Sequence, residues 1–207
     1  MFRRVLFRSI VTKSALVLRD LDLLTDLAQN GLVSVTISLT SLTNDIKRTL
    51  EPRTASPQAR LRVIQQLAQA GIPAGVLLAP VIPAITDHEM EDMLAAAKEA
   101  GASRAGYVLL RLPHEVKILF REWLAEHYPD RAKHVMSLIN QTRGGKDYDS
   151  KFGQRMSGTG PYAELLRTRF ELARRKCNFE PENRRHELPT HLFRPPPTDQ
   201  PQLSLGF

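Results

Sequence analysis

Hydrophobic and polar positions alternate between two periods along the first half of this chain. VSVTISLT, residues 33–40, is a β-branched apolar run of strand length. It leads through LEPR to SPQARLRVIQQLAQAG. There Ser56 and Pro57 read as N-cap and first helical residue, Leu61, Ile64, Leu67 and Ala68 recur at helical spacing, and Gly71 closes the helix. IPAGVLLAPVIP is a second strand running into prolines. Strand, helix and strand on short links make a crossover unit with parallel strands.

The same grammar extends outward in both directions. Upstream lie a strand end near Ile10, a helix over 20–29 with Leu23, Leu24, Leu27 and Ala28 inward, and a closing Gly31. Downstream Asp87 is expected to cap a helix, and AGYVLLRLP reads as another strand. The order is β-α-β-α-β-α-β, with four strands at most. Eight strands usually close a barrel, so this is an open sheet or part of one.

After Pro113 the pattern is helical. Val116, Leu119, Phe120 and Trp123 are expected on one face of a first helix, and Met136, Leu138 and Ile139 line a second that stops at Gly144–Gly145. RGGKDYDSKFGQRMSGTG is a polar, basic loop, and Pro161 opens a last helix. From Asn178 the chain turns to Pro, Glu, Arg and His, a composition expected to be a flexible, disordered tail. Four segments result: 1–9 as an extraneous or displaced start, 10–112 as a partial (β/α) barrel, 113–177 as a helical region with the basic loop, and 178–207 as the tail.

Composition narrows the chemistry. With 207 residues, 42% of them hydrophobic, the chain can build one globular core. No apolar run approaches the ~18 residues of a membrane span, so no membrane partner is expected. A single cysteine, Cys177, excludes an internal disulfide and points to a reducing, cytoplasmic setting. The net charge of +7 is unevenly spread. Residues 10–142 carry fourteen charges of each sign, and the excess gathers at 143–185. Such a patch attracts phosphate backbones or keeps the protein soluble.

TKSALVLRD, the TLEPR turn, AGIPAGVLLAPVIP, AGYVLLRLP-EVK and RGGK-YDS-FG-RM together resemble the radical S-adenosylmethionine (SAM) proteins. The bacterial branch related to spore photoproduct lyase and DNA-repair photolyase-like proteins is the nearest in kind. The resemblance runs from about Ile10 to Cys177. It implies a (β/α)6 partial barrel in which a C-x3-C-x2-C loop binds a [4Fe–4S] cluster. SAM chelates that cluster and is cleaved to a 5′-deoxyadenosyl radical. No C-x3-C-x2-C occurs here. The chain therefore reads as the C-terminal portion of such an enzyme, beginning near the third strand and not expected to do radical chemistry alone.

The resemblance assigns Lys13 to the SAM carboxylate and Ser38 to a cofactor contact. Glu51 and Arg53 either bind ligand or staple their loop. Arg60 pairs with Glu51 or reaches the cofactor, and Pro80, with Ile82 and Pro83, flanks the adenine or forms a rigid turn. His88 reads as a solvated helix residue. Tyr107 and Arg111 share a strand face that meets substrate or packs in the core or at the rim. Arg143, Lys146, Lys151 and Arg155, interleaved with Tyr148 and Phe152, are candidate nucleic-acid contacts. The terminal QLSLGF resembles the bacterial sliding-clamp-binding peptide, with Gln202, Leu203, Leu205 and Phe207 as anchors on a proline-rich linker. A non-catalytic nucleic-acid or clamp-associated module is the rival reading.

Overall fold

The computed structural model describes residues 8–179. The terminal clamp-like peptide, most of the tail and residues 1–7 lie outside the described residues.

Four parallel strands form one sheet in sequential order: β1 (Arg8–Thr12), β2 (Val33–Leu39), β3 (Ala74–Val81) and β4 (Arg104–Leu109). Helices α1 (Leu21–Gln29), α3 (Pro57–Gln69) and α4 (Met90–Glu99) fill the crossovers. The expected four-stranded α/β fragment of a parallel barrel is what forms. Strand β1 starts at Arg8, two residues before the barrel was expected to begin. A further helix, α2 (Asn44–Leu50), sits between β2 and α3 and is short enough to escape periodicity.

Alternation along β2 separates its two faces. Val33, Val35, Ile37 and Leu39 pack with Ala74, Val76 and Leu78 of β3 beneath Val63, Ile64 and Leu67 of α3. Ser34, Thr36, Ser38 and Thr40 alternate with them and take the opposite face. That opposite face is closely spaced where Gly75 stands, since a Cβ there would meet Thr36 Oγ1 at 3.3 Å. It is open toward β1, where Val11 is 58% exposed.

Local signals account for the helix ends. The Ser56 hydroxyl accepts from the Ala59 N–H, with Pro57 at the first helical position. Gly71, at φ +71°, ends α3 in the left-handed conformation that glycine tolerates best. Two expected faces form in part, with Leu27, Ala28 and Trp123 packed against the cores as expected. On α1, Leu24 is buried while Leu23 is exposed. On α5 (Val116–His127), Phe120 and Leu124 are buried while Val116 and Leu119 face outward. The cause is that α5 packs against α6 (Ala132–Gln141) rather than the sheet, which leaves a narrower apolar seam.

A second core lies beyond the C-terminal ends of β3 and β4. Ile82, Ile85, Leu110 and Leu112, from the segments after those strands, pack with Ile46, Phe120, Leu124, Val135 and Ile139. Helix α7 (Pro161–Lys176) returns to α4, burying Leu166 and Phe170. Among the described residues, no helix is long and apolar enough to cross a membrane.

Candidate cofactor site

Strand register assembles the site. Thr12 pairs with Ile37, so Lys13 falls beside Ser38 one step further on. Leu39 pairs with Leu78, so Thr40 falls beside Ala79. All four positions lie at the C-terminal ends of parallel strands, where open α/β sheets bind ligands.

Three side chains converge there on one carbonyl. The Ala79 oxygen accepts from Lys13 Nζ at 3.1 Å, from Ser38 Oγ at 3.1 Å and from Thr40 Oγ1 at 3.0 Å. The peptide bond that follows, to Pro80, is cis. Lys13 Nζ also donates to Thr40 Oγ1 at 3.2 Å and to Glu51 Oε1. A lysine ammonium has three donors, and here all three are engaged.

Glu51 is the pivot. One oxygen meets Lys13 and Thr40; the other accepts from Arg60 Nη2 at 2.6 Å. Burial pushes its carboxyl pKa up, but hydrogen bonds from Lys13 and Arg60 and the charge of Lys13 outweigh that and hold it below the ordinary value. Arg60 gives three further donors to the carbonyls of Ala55 and Ser38, both at 3.0 Å, and to the Thr54 hydroxyl. Two cations face one carboxylate, so the cluster keeps a net positive charge. Its accessible edge is Lys13, whose side chain is 31% exposed.

Of the expected cofactor residues, Lys13, Ser38, Glu51 and Arg60 are thus brought together, and Pro80 adjoins them. Arg53 is exposed and stands apart; its neighbour Arg60 makes the ion pair with Glu51. Sequence reading missed Thr40 and the Ala79 carbonyl. Period two, continued from Ser38, would have found Thr40. It also missed the buried Glu89, which accepts from the Ser41 hydroxyl and from the Leu42 N–H at 2.6 Å. That bond ties the loop after β2 to the start of α4. Asp87 does not cap this helix. Its carboxylate accepts from the Tyr162 hydroxyl and so joins α7 to the segment after β3. Tyr107 meets Phe170 of α7 at a tilt, 4.8 Å between centroids, and packs against the core, the packing alternative of the two expected for it.

The basic loop divides. Lys146 and Lys151 are exposed. Arg155 lies 5.3 Å from the centroid of Phe152, a ring 89% exposed. Arg143 is 2% exposed and donates to the carbonyls of Leu109, Leu110, Gln154 and Arg155. It is not a solvent-facing contact; it fastens the loop to the end of β4. His88 is exposed, as expected of a solvated helix residue.

The donors of this cluster are an ammonium, a guanidinium, two hydroxyls and a carboxylate, with no thiolate among them, so they do not fit an iron–sulfur cluster. The cysteine count is one, and Cys177 caps the end of α7. Among the described residues no group of His, Cys, Asp or Glu is arranged to hold a metal ion.

Several known proteins are similar to this chain. The uncharacterized protein Rv2578c of Mycobacterium tuberculosis is 36% identical over 135 residues, covering 64% of this chain and 40% of that protein. ORF301 of Acidianus two-tailed virus is 32% identical over 108 residues, covering 51% of this chain and 35% of that protein. MJ0683 of Methanocaldococcus jannaschii is 32% identical over 81 residues, covering 39% and 30%. The chain thus spans at most 40% of the length of these relatives. Residues 4–97 match the Radical SAM superfamily, a span that takes in β1 to β3 and every side chain of the Lys13–Ser38–Thr40–Glu51–Arg60 cluster.

Proposed function

We propose that this chain is part of a radical SAM protein of the branch related to spore photoproduct lyase, and that the Lys13 cluster receives the amino-acid end of SAM. The convergence of Lys13, Ser38 and Thr40 on one carbonyl at the strand ends, inside the matched segment, supports this reading. Lys13 would exchange a neutral acceptor for the ligand carboxylate. Ser38, Thr40 and the Ala79 oxygen would meet the ligand's polar hydrogens, while Glu51 and Arg60 keep Lys13 in place. SAM bound to a reduced [4Fe–4S] cluster supplies a 5′-deoxyadenosyl radical in this superfamily. The thiolates for that cluster are not among these residues, so in this reading polypeptide beyond the 207 residues contributes them.

Equilibrium dialysis of the chain against labelled SAM tests the binding step. Hydrogen bonds to charged groups are worth about 1.5–3 kcal/mol, so Lys13→Ala should weaken binding roughly ten- to hundredfold. A chain that does not bind SAM, or a Lys13→Ala variant that binds it equally well, overturns the assignment.

A second reading, action on nucleic acid, draws on Phe152. An exposed ring against Arg155, in a loop that also exposes Lys146 and Lys151, is an arrangement on which unpaired bases stack. The sliding clamp is the other proposed partner, through the terminal QLSLGF. Fluorescence anisotropy with labelled single-stranded DNA across a salt series tests the first. Binding that ignores salt and survives Phe152→Ala removes it.

A further inference from the structure

Two arginines lie together at the C-terminal end of β4, and among the described residues neither has a salt-bridge partner. Arg111, two residues past the strand, donates from Nη2 to the Tyr148 hydroxyl at 3.0 Å and sits 5.8 Å from that ring's centroid. Its Nη1 reaches the Met156 thioether at 3.9 Å, a weak acceptor, on the exposed side. Arg143 comes from the end of α6, and its bonds go to carbonyls, at 3.3 Å to Leu109 and 2.7 Å to Leu110. The Nε of each arginine is buried and has no partner.

Charge balance makes this arrangement unusual. Burial first, and the neighbouring charge of Arg111 next, lower the pKa of the Arg143 guanidinium from its ordinary value. Asp149 is the acid whose field opposes that shift. Among the described residues, neither arginine forms a salt bridge. A buried cation without a counter-charge is costly.

We propose that Arg111, with Tyr148 beside it and Arg143 behind it, forms a recognition site for a phosphate-type oxyanion at the C-terminal end of β4. Arg111 makes the contact through Nη1, and a planar guanidinium suits such an oxyanion. The Tyr148 oxygen accepts from Arg111, which leaves its own proton for the ligand. Arg143 does not touch the ligand; it supplies fixed positive potential from within the fold. The site uses none of the Lys13 cluster and stands whether or not SAM binds there. The oxyanion belongs either to the backbone of a nucleic-acid strand or to a small phosphorylated molecule.

Thermal unfolding of the full chain, followed by the fluorescence of Trp123, its single tryptophan, tests the site. One arm titrates inorganic phosphate against chloride at matched ionic strength; the other titrates a short single-stranded DNA. A ligand that binds only the folded state raises the midpoint by mass action, a few degrees at about ten times its dissociation constant. Arg111→Gln should weaken the response at least tenfold and Arg111→Lys less. Comparing variants also separates binding from phosphate's general salting-out effect. Should Arg111→Gln not fold, by circular dichroism, Tyr148→Phe carries the test with a severalfold loss. A response to DNA alone assigns the oxyanion to a phosphodiester backbone, and a response to phosphate alone assigns it to a small ligand. A midpoint that ignores both ligands, or substitutions that leave both responses unchanged, overturns the proposal.

Discussion

Replacing Glu51 with alanine should be the most damaging single change in the polar cluster. The carboxylate is 10% exposed and bridges Lys13 to Arg60, whose side chain is 3% exposed. Without it, Arg60 keeps its neutral acceptors and loses its ion-pair partner. Breaking a buried ion pair from one side costs about 3–5 kcal/mol. Lys13 is part-exposed and can turn to water, so the lower end, about 3 kcal/mol, applies here. Glu51→Gln preserves shape and an acceptor and should cost about 1–2 kcal/mol. Removing both charges together, as Glu51→Leu with Arg60→Met, should recover part of the loss. Urea unfolding monitored by Trp123 fluorescence measures all three. The pH dependence adds an independent check. Because the folded pKa of Glu51 is depressed, its contribution is complete above the ordinary value of 4.5 and is lost as pH falls through the lower folded value. Glu51→Gln should lack that acid-sensitive component. If Glu51→Ala unfolds within 1 kcal/mol of the parent at pH 7, the ion-pair reasoning is wrong.

Two further substitutions probe how the C-terminal elements are held. Tyr162→Phe removes the hydroxyl that Asp87 accepts and should cost about 1–2 kcal/mol in urea unfolding. Burial, and then the Asp87 bond, raise the Tyr162 pKa above its ordinary 10.0. The parent should therefore lose more stability than the phenylalanine variant as pH rises beyond that value, since Tyr128, also raised by burial, declines in both; equal declines in the two proteins would count against the bond. Gly158→Ala places a Cβ 2.9 Å from Leu109 Cδ2 and 3.0 Å from the Thr142 oxygen, at φ +75°. A cost of about 2–3 kcal/mol follows from the left-handed backbone and the clash. Tryptic cleavage at Lys151 and Arg155 should accelerate, and unchanged cleavage would show that the loop does not depend on that close approach.

The parallel sheet was legible because β2 and β3 are apolar runs separated by a helix with its own cap, proline and closing glycine. The family resemblance pointed to Lys13, Ser38, Glu51 and Arg60 and left open whether Arg60 pairs with Glu51, but it could not say that Arg53 stays outside. That choice depends on where the turn after α2 aims each side chain, a tertiary matter. The face of α5 was misjudged because four apolar side chains at helical spacing suit two adjacent faces, and contact with α6 selects one. Arg143 looked like a loop cation beside Lys146, since one-dimensional charge does not reveal four carbonyls waiting to receive it. Tyr162 and Asp87, far apart in sequence, carried no pairing signal.

Strand order in this sheet follows chain order, and each pairing joins neighbours in the sequence. A growing chain on the ribosome could therefore add one strand at a time onto a finished edge, with no need to wait for a distant partner. Helix α7 is the exception. It comes last and packs back on α4, and its Phe170 covers Tyr107 of β4. Premature release before that helix emerges would leave the newest strand with its outer aromatic ring bare to water. Final consolidation of this protein is thus deferred to the end of the described chain.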